Sequence, residues 1–486
     1  MNSHSLLKQF FRQPSGLYLL AFGELWERLT YYGTQTILVL YLTKIFHFSD
    51  DTSYALYGAY AVFAYSMPVL GGTLADRLLG IRQSIIIGAL LLIAGNLLLV
   101  VQQPGYFYLG LALSVCGTGF YKPNSTSLVG TLYNREDQQQ ETGFTLFYIG
   151  MNIGATLGPL FYGLAALFNW SYGFIFSALG ILLSLIAFLR CSNPTLGKAP
   201  HPALLQKKIF LNLTLRPFLL LSIAACCVLI SVLFSYPTLM GSLLILFASG
   251  ILLILILYAL KRDALERKQI FAVLIALSFV IFFFSASLQV GSSINLFINR
   301  DVNKIIFGWN IPTLFFSSLY PFFVILTAPL LAMLWQYFAK HQKPISVANK
   351  LFFSLVAISL AFVCFNLATL SNYNSLYHGS LWWIVVGNLL LGIGEACLMP
   401  ALLTAVNQAA PANLRSTMMG VLFLFIAVSG YLSGVIAKFS SHDSSNILAV
   451  SRNIYGVMFL KISAFTALVA IFLWLITPWL NRMLQK

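Results

Sequence analysis

The fold class expected from this chain is an all-α polytopic membrane protein of fourteen transmembrane helices, arranged as two six-helix bundles with two extra helices between them. Three observations lead there. Of the 486 residues, 59% are hydrophobic and only 8% are charged. Apolar runs of about 20 residues, the length that crosses roughly 30 Å of hydrocarbon, recur along the whole chain. The breaks between those runs concentrate lysine and arginine on one side of the membrane.

Taken in order, the runs lie near 16–45, 54–78, 83–103, 106–132, 142–167 and 170–190, then 217–235 and 238–260. A last group follows at 270–298, 310–338, 348–370, 380–408, 414–438 and 455–479. The basic, proline-containing stretch 191–217 and the charged run 262–268 set off the middle pair, so the expected organisation is 1–190, 191–268 and 269–486. Two six-helix halves are the plan of transporters built from pseudo-symmetric repeats, which bind substrate near the middle of the membrane. The extra pair, apolar and without buried charge, reads as a scaffold or spacer.

With the N-terminus inside, lysine and arginine favour the cytoplasmic segments by about four to one, which places both termini in the cytoplasm. The net charge of +15 follows from those loops and calls for no nucleic-acid partner. Outer connections such as 102–105 and 235–237 are too short to form a soluble domain, which argues against a receptor. The six cysteines, at 116, 191, 226, 227, 364 and 397, lack metal-ligand spacing, and no nucleophile stands with a base. Neither an enzyme nor a metal or organic cofactor is therefore expected. The first apolar segment is too long, and too charged, to be a cleavable signal.

The costliest residues to place are Glu24, Glu27 and Arg28, all within the first span. At about 100° per residue they share one helical face with Tyr31, so both carboxylates can reach the guanidinium. Ionisable groups at membrane depth cost on the order of 2.5–3.5 kcal/mol each, and they usually pair and line a polar cavity. Two acids beside one arginine leave a surplus negative charge that invites a proton or a second cation. Lys122, in the middle of the fourth span, is the candidate cation. In the fifth span Gly150, Gly154 and Gly158 repeat every four residues, a ridge that permits close helix approach and is expected to carry Asn152 inward. Lys461, in the last span, is expected to snorkel outward.

Between the second and third spans, Gly71, Gly72, Asp76, Arg77, Gly80 and Arg82 resemble the cytoplasmic signature of the major facilitator superfamily, which implies gating for Asp76 and Arg77. The acid-acid-arginine cluster followed by Tyr31, Tyr32 and Gly33, the Lys122-Pro123-Asn124 stretch, and Phe147-Tyr148 with Asn152 and Gly154 go further. Together they resemble the proton-dependent oligopeptide transporter family, the peptide-transporter branch of that superfamily, over the whole chain. The resemblance implies a major facilitator fold and proton-coupled import of di- and tripeptides across a bacterial inner membrane. The proton is then the coupling ion, handled by Glu24, Glu27, Arg28 and Lys122. Substrate contacts are implied for Arg28, Tyr31, Tyr32, Tyr65, Lys122, Asn152, Gln289, Tyr320 and Glu395. A monomer surrounded by lipid is the expected form.

Four positions in the second half depart from the family pattern. Leu288 stands where an acid is common before the glutamine, Tyr320 where an asparagine usually precedes the proline, Met399 where a serine is common, and Leu422 where a pocket tryptophan is common. Glu395 is kept, as the one acid within a second-half span. An acid in low dielectric gains most from a cationic partner, which suits an ammonium, whereas Arg28 and Lys122 suit a carboxylate. A zwitterion is therefore the expected substrate. The departures leave a second reading open, a transporter of some other charged metabolite with a rebuilt pocket.

Overall fold

The computed structural model describes residues 13–133, 139–196, 208–210, 213–343, 345–370, 380–409, 415–441 and 448–484. Each of the fourteen expected spans is helical. The first six are α1 (Ser15–Lys44), α2 (Asp50–Leu74), α3 (Ile81–Leu99), α4 (Pro104–Gly130), α5 (Gln139–Phe168) and α6 (Ser171–Leu196). The extra pair is α7 (Leu215–Phe234) and α8 (Pro237–Leu260). The next two spans are interrupted helices, α9 (Ala264–Ser287) continuing as α10 (Ser293–Asp301), and α11 (Thr313–Ser317) continuing as α12 (Leu319–Lys340). The chain then runs through α13 (Val347–Leu370), α14 (Leu381–Ala409), α15 (Arg415–Ala437) and α16 (Leu448–Leu484). Two small antiparallel hairpins complete the described chain, β1 (Lys208–Phe210) with β2 (Leu213–Thr214), and β3 (Ile305–Ile306) with β4 (Trp309–Asn310).

Local chemistry sets several of these ends. Pro104 opens α4 at the position where a missing N–H costs nothing. Asp263 caps α9, its carboxylate accepting from the Glu266 N–H at 3.0 Å. After α2, a five-residue π-helical turn over Ala75–Leu79 ends at Gly80, whose φ of 79° and ψ of 148° are open to a residue without a β-carbon. This turn is the backbone of the expected gating motif; the side chains of Asp76 and Arg77 lie outside what is described.

Ten helical segments among the described residues are long and apolar enough to cross a membrane. Helix α7 is apolar over the shorter stretch Phe218–Phe234, and helices α1, α2 and α4 are likewise not among the ten. These three carry Glu24, Glu27, Arg28, Tyr65 and Lys122, and their lower hydropathy is the mark of the polar groups they bring into the protein.

Packing divides the chain into two compact units that are not contiguous in sequence: Met1–Thr34 with Phe63–Tyr236, and Gln35–Val62 with Pro237–Lys486. This partition differs from the one read from the repeats, because it also separates the extra pair. Helix α7 packs on α4 in the first unit, and α8 packs on α9 and α15 in the second. The core of the first unit joins Leu17 and Leu20 of α1, Ile85 and Leu92 of α3, Val129 of α4 and Ile181 of α6. In the second unit α13 packs against α14 and α16, and Phe297, Phe362, Tyr455 and Phe459 form a ring cluster between α10, α13 and α16.

Candidate functional site

In the first unit the three charges of α1 form one buried cluster, as their helical spacing requires. Glu24 and Glu27 are fully buried and Arg28 is 3% exposed. The guanidinium grips Glu27 with two bonds, Nε to Oε2 at 2.5 Å and Nη2 to Oε1 at 2.7 Å. It stands 3.6 Å from Glu24 Oε1, one helical turn away. Helix α4 supplies two hydroxyls: Thr118 donates to Glu27 Oε1 at 2.7 Å and Ser125 to Glu24 Oε2 at 2.5 Å. Both oxygens of Glu27 are thus hydrogen-bonded. Glu24 Oε1 has no hydrogen-bond partner among the described residues.

Aromatic rings surround the cation. The guanidinium carbon lies 5.0 Å from the centre of the Tyr31 ring and 6.0 Å from that of Tyr32. Tyr31 meets Tyr65 of α2 edge-on at 6.3 Å, and the Lys122 ammonium lies 6.0 Å from the Tyr65 ring. At this distance and orientation a ring face attracts a cation. Lys122 therefore joins the cluster through Tyr65, while the ion pairs to both carboxylates are made by Arg28.

The glycine ridge explains how α5 holds this arrangement. A β-carbon at Gly154 would lie 2.3 Å from the Leu25 carbonyl and 3.0 Å from Arg28 Cβ. One at Gly158 would lie 2.5 Å from the Leu29 carbonyl. The ridge packs against the stretch of α1 that bears the charges, and no side chain could replace those hydrogens without parting the helices. Asn152 is two residues from Gly150 and from Gly154, about 200° around the helix from each. It is half-buried, and its amide donates to the carbonyl of Tyr148 at 2.9 Å, not to the charged cluster.

The second unit holds a different constellation. Tyr320 of α12 donates its hydroxyl to Glu395 Oε2 on α14. Both side chains are half-buried. Gln289 is fully buried in the 3-10 turn Leu288–Gly291 that joins α9 to α10. Its amide nitrogen donates to the Ser433 carbonyl at 2.9 Å and its oxygen accepts from Ser293 at 2.6 Å. Gln289 therefore knits the helix break to α15. The Tyr57 hydroxyl seals the same break, donating to the Leu288 carbonyl at 2.8 Å. Of the departing residues, Leu422 is fully buried, Leu288 is buried and Met399 half-buried.

A second ionic cluster lies in the same unit. Arg300 of α10 binds Asp50 at the start of α2 with two bonds of 2.7 and 2.8 Å. Lys44 at the end of α1 donates to Asn299 Oδ1 at 2.9 Å, and Asn295 donates to the Thr36 carbonyl at 2.7 Å. Burial, and to a lesser degree the Lys44 charge, bring the nearby Lys304 ammonium down to about 8.

The sequence reading missed Thr118, Ser125, Asp50 and Arg300. Thr118 and Ser125 sit four residues before and three after Lys122, on its face of α4, a spacing that would have identified them. Asp50 and Arg300 are 250 residues apart, and nothing local marks them as partners.

A family model described as POT family matches residues 82–458. Dipeptide and tripeptide permease A of Yersinia pestis is 31% identical over 99% of this chain and 95% of its own length. The uncharacterized transporter YclF of Bacillus subtilis is 31% identical over 88% of this chain and 89% of its own. A crystal structure of peptide transporter POT in complex with sulfate superposes with a TM-score of 0.83 at 26% identity, covering 98% of this chain and 97% of that one. Another, of a mutant peptide transporter POT in complex with alafosfalin, gives the same TM-score, identity and coverage.

Proposed function

The chain belongs to the POT family, and from that premise we propose that it is a proton-coupled importer of di- and tripeptides in a bacterial inner membrane, working by alternating access. In this reading both termini are cytoplasmic, the protein acts as a monomer in lipid, and the proton is the coupling ion. The observation that carries it is the buried cluster of Glu24, Glu27 and Arg28 with its two hydroxyl donors.

Fully ionised, Glu24, Glu27, Arg28 and Lys122 sum to zero charge. A proton on either acid leaves one cation in excess, and that cation is then available to a peptide carboxylate. Glu24 is the acid suited to take the proton, because its Oε1 has no hydrogen-bond donor among the described residues, whereas both oxygens of Glu27 are engaged. Arg28 offers the carboxylate a planar fork and Lys122 a point charge. Tyr31, Tyr32 and Tyr65 provide hydroxyls and tolerant apolar faces for side chains of different kinds. Glu395 takes the amino terminus, and binding there replaces or shares the hydroxyl of Tyr320. Asn152 of α5 and Gln289, at the break between α9 and α10, are further polar contacts for the substrate in this reading, and Asp76 with Arg77 gates the cytoplasmic side. Release of the peptide and proton inward restores the ion pairs, and an inside-negative potential contributes about 2.3 kcal/mol per charge per 100 mV.

One observation favours a second reading. Tyr320 places a hydroxyl, not an amide, on Glu395, so the amine-binding group is not the usual one and a charged metabolite other than a peptide is the competing substrate. The deciding measurement is uptake by proteoliposomes under an inward proton gradient, with di- and tripeptides tested against non-peptide zwitterions and anions. Accumulation of peptides that collapses with a protonophore is expected. Accumulation of a non-peptide alone would replace the first reading with the second.

A further inference from the structure

The β3–β4 hairpin links the span ending at Asp301 to the span beginning at Thr313, and its tip exposes Ile305 (61%), Phe307 (105%) and Trp309 (51%). We propose that this hairpin is a membrane anchor, whose tip inserts into the interfacial layer of the phospholipid bilayer beside α11. The inference is independent of what the protein transports.

The backbone supplies the first reason. Ile306 pairs with Trp309, so Phe307 and Gly308 are the two central residues of the turn, with φ of 50° and 81°. Such turns ordinarily take Asn, Asp or Gly, because a β-carbon at positive φ costs roughly 1–2 kcal/mol. A bulky aromatic at that position accepts the cost while its side chain stands fully exposed. Strained residues of this kind cluster at functional positions, where the cost is offset by what the side chain does.

Depth supplies the second. The base of the hairpin is tied to the span ends, because the Lys304 ammonium donates to the Asn299 carbonyl at 3.0 Å and to Thr313 Oγ1 at 3.2 Å. The Ile311 N–H closes the ladder on the Lys304 carbonyl at 2.9 Å. At about 3.3 Å per residue the tip reaches on the order of 10 Å from that base, so an anchoring hairpin lies along the interface, within the roughly 5–8 Å headgroup layer, and does not stand away from it. Trp309 is held lower still. Its ring meets Phe315 edge-on at 5.9 Å, and Phe315 lies in the first turn of a transmembrane span. Two aromatics and two isoleucines at this level are the composition that bilayer interfaces retain.

The test places a nitroxide at position 307 through Phe307→Cys, in a chain whose exposed Cys191 is changed to serine, reconstituted in phosphatidylethanolamine–phosphatidylglycerol bilayers. The Cys191→Ser chain alone gives the labelling background. Gly105, exposed at the start of α4 with open space around it, becomes the aqueous reference through Gly105→Cys. The label at 307 should collide with membrane-dissolved oxygen several-fold more, relative to a water-soluble nickel chelate, than the label at 105. Equal ratios at the two sites would overturn the anchor. Shielding of position 307 from both reagents would also overturn it, since protein and not lipid would then cover the tip.

Discussion

The acids of the two units are satisfied in opposite ways. Glu24 and Glu27 share one guanidinium and two hydroxyls on a helix pressed against a glycine ridge, whereas Glu395 has a neutral donor, Tyr320, and no ion pair among the described residues. Inside low dielectric, an ion pair with its own counter-charge can stay ionised without a ligand, and removing one partner strands the other. A carboxylate held by a hydroxyl lacks a counter-charge of its own, the condition under which a cationic ligand would stabilise it most. The first arrangement suits exchange of a proton for an internal cation, the second recognition of an external one.

The largest expected effect breaks the first arrangement. Glu27→Gln removes the carboxylate gripped twice by Arg28, and uncoupling a buried ion pair costs about 3–5 kcal/mol. Gradient-driven uptake should fall roughly a hundredfold or more, while exchange of labelled for unlabelled substrate across vesicles persists in part. Undiminished accumulation by this variant would refute the coupling role. Next is Glu395→Gln, which probes the second arrangement. Calorimetry should show a free-amine dipeptide binding about 10- to 100-fold more weakly, the value of a hydrogen bond to a charged group. An N-acetylated dipeptide, which has no ammonium, should scarcely change; equal losses for both would deny Glu395 the amino terminus.

A third variant tests the support beneath the first cluster. Gly154→Val drives a branched side chain into the Leu25 carbonyl and Arg28, and overpacking of this kind costs about 1–3 kcal/mol. The purified protein should melt a few degrees lower, on the order of 2–4 °C per kcal/mol in a unit of this size. The smallest effect is expected of Ser125→Ala, which deprives Glu24 Oε2 of its hydroxyl at about 1 kcal/mol. Uptake should drop a few-fold, with peptide affinity at Glu395 unaltered. A drop as large as that of Glu27→Gln would mean that the two acids of α1 are not functionally distinct.

Fold and first cluster were legible for the same reason, periodicity. Helical spacing put Glu24, Glu27, Arg28 and Tyr31 on one face, and the four-residue repeat of Gly150, Gly154 and Gly158 announced a close helix contact. Neither pattern could say which helix the ridge meets, nor that Asn152 turns to its own helix at Tyr148. Gln289 shows the limit in the second unit. A buried amide reads alike whether it awaits a ligand or ties a helix break to Ser433 and Ser293, and only coordinates separate the two. The pairing of Arg300 with Asp50 had no signal at all, because charge near a span end is what basic and acidic loops display everywhere.

That residues 35–62, the end of α1 and the start of α2, pack with the second unit has a consequence for how the protein is made. Residues 35–62 leave the ribosome early, yet their partners are translated late: Asp50 meets Arg300, Lys44 meets Asn299, and the Tyr54 hydroxyl lies 3.2 Å from that of Ser440. At roughly 5–20 residues per second, a separation of 250 residues is a wait of about 12–50 s. Throughout that interval Asp50 and Lys44 are without these partners. Residues 35–62 therefore reach their final partners only after most of the chain has been synthesised, and the second unit closes on its earliest pieces last.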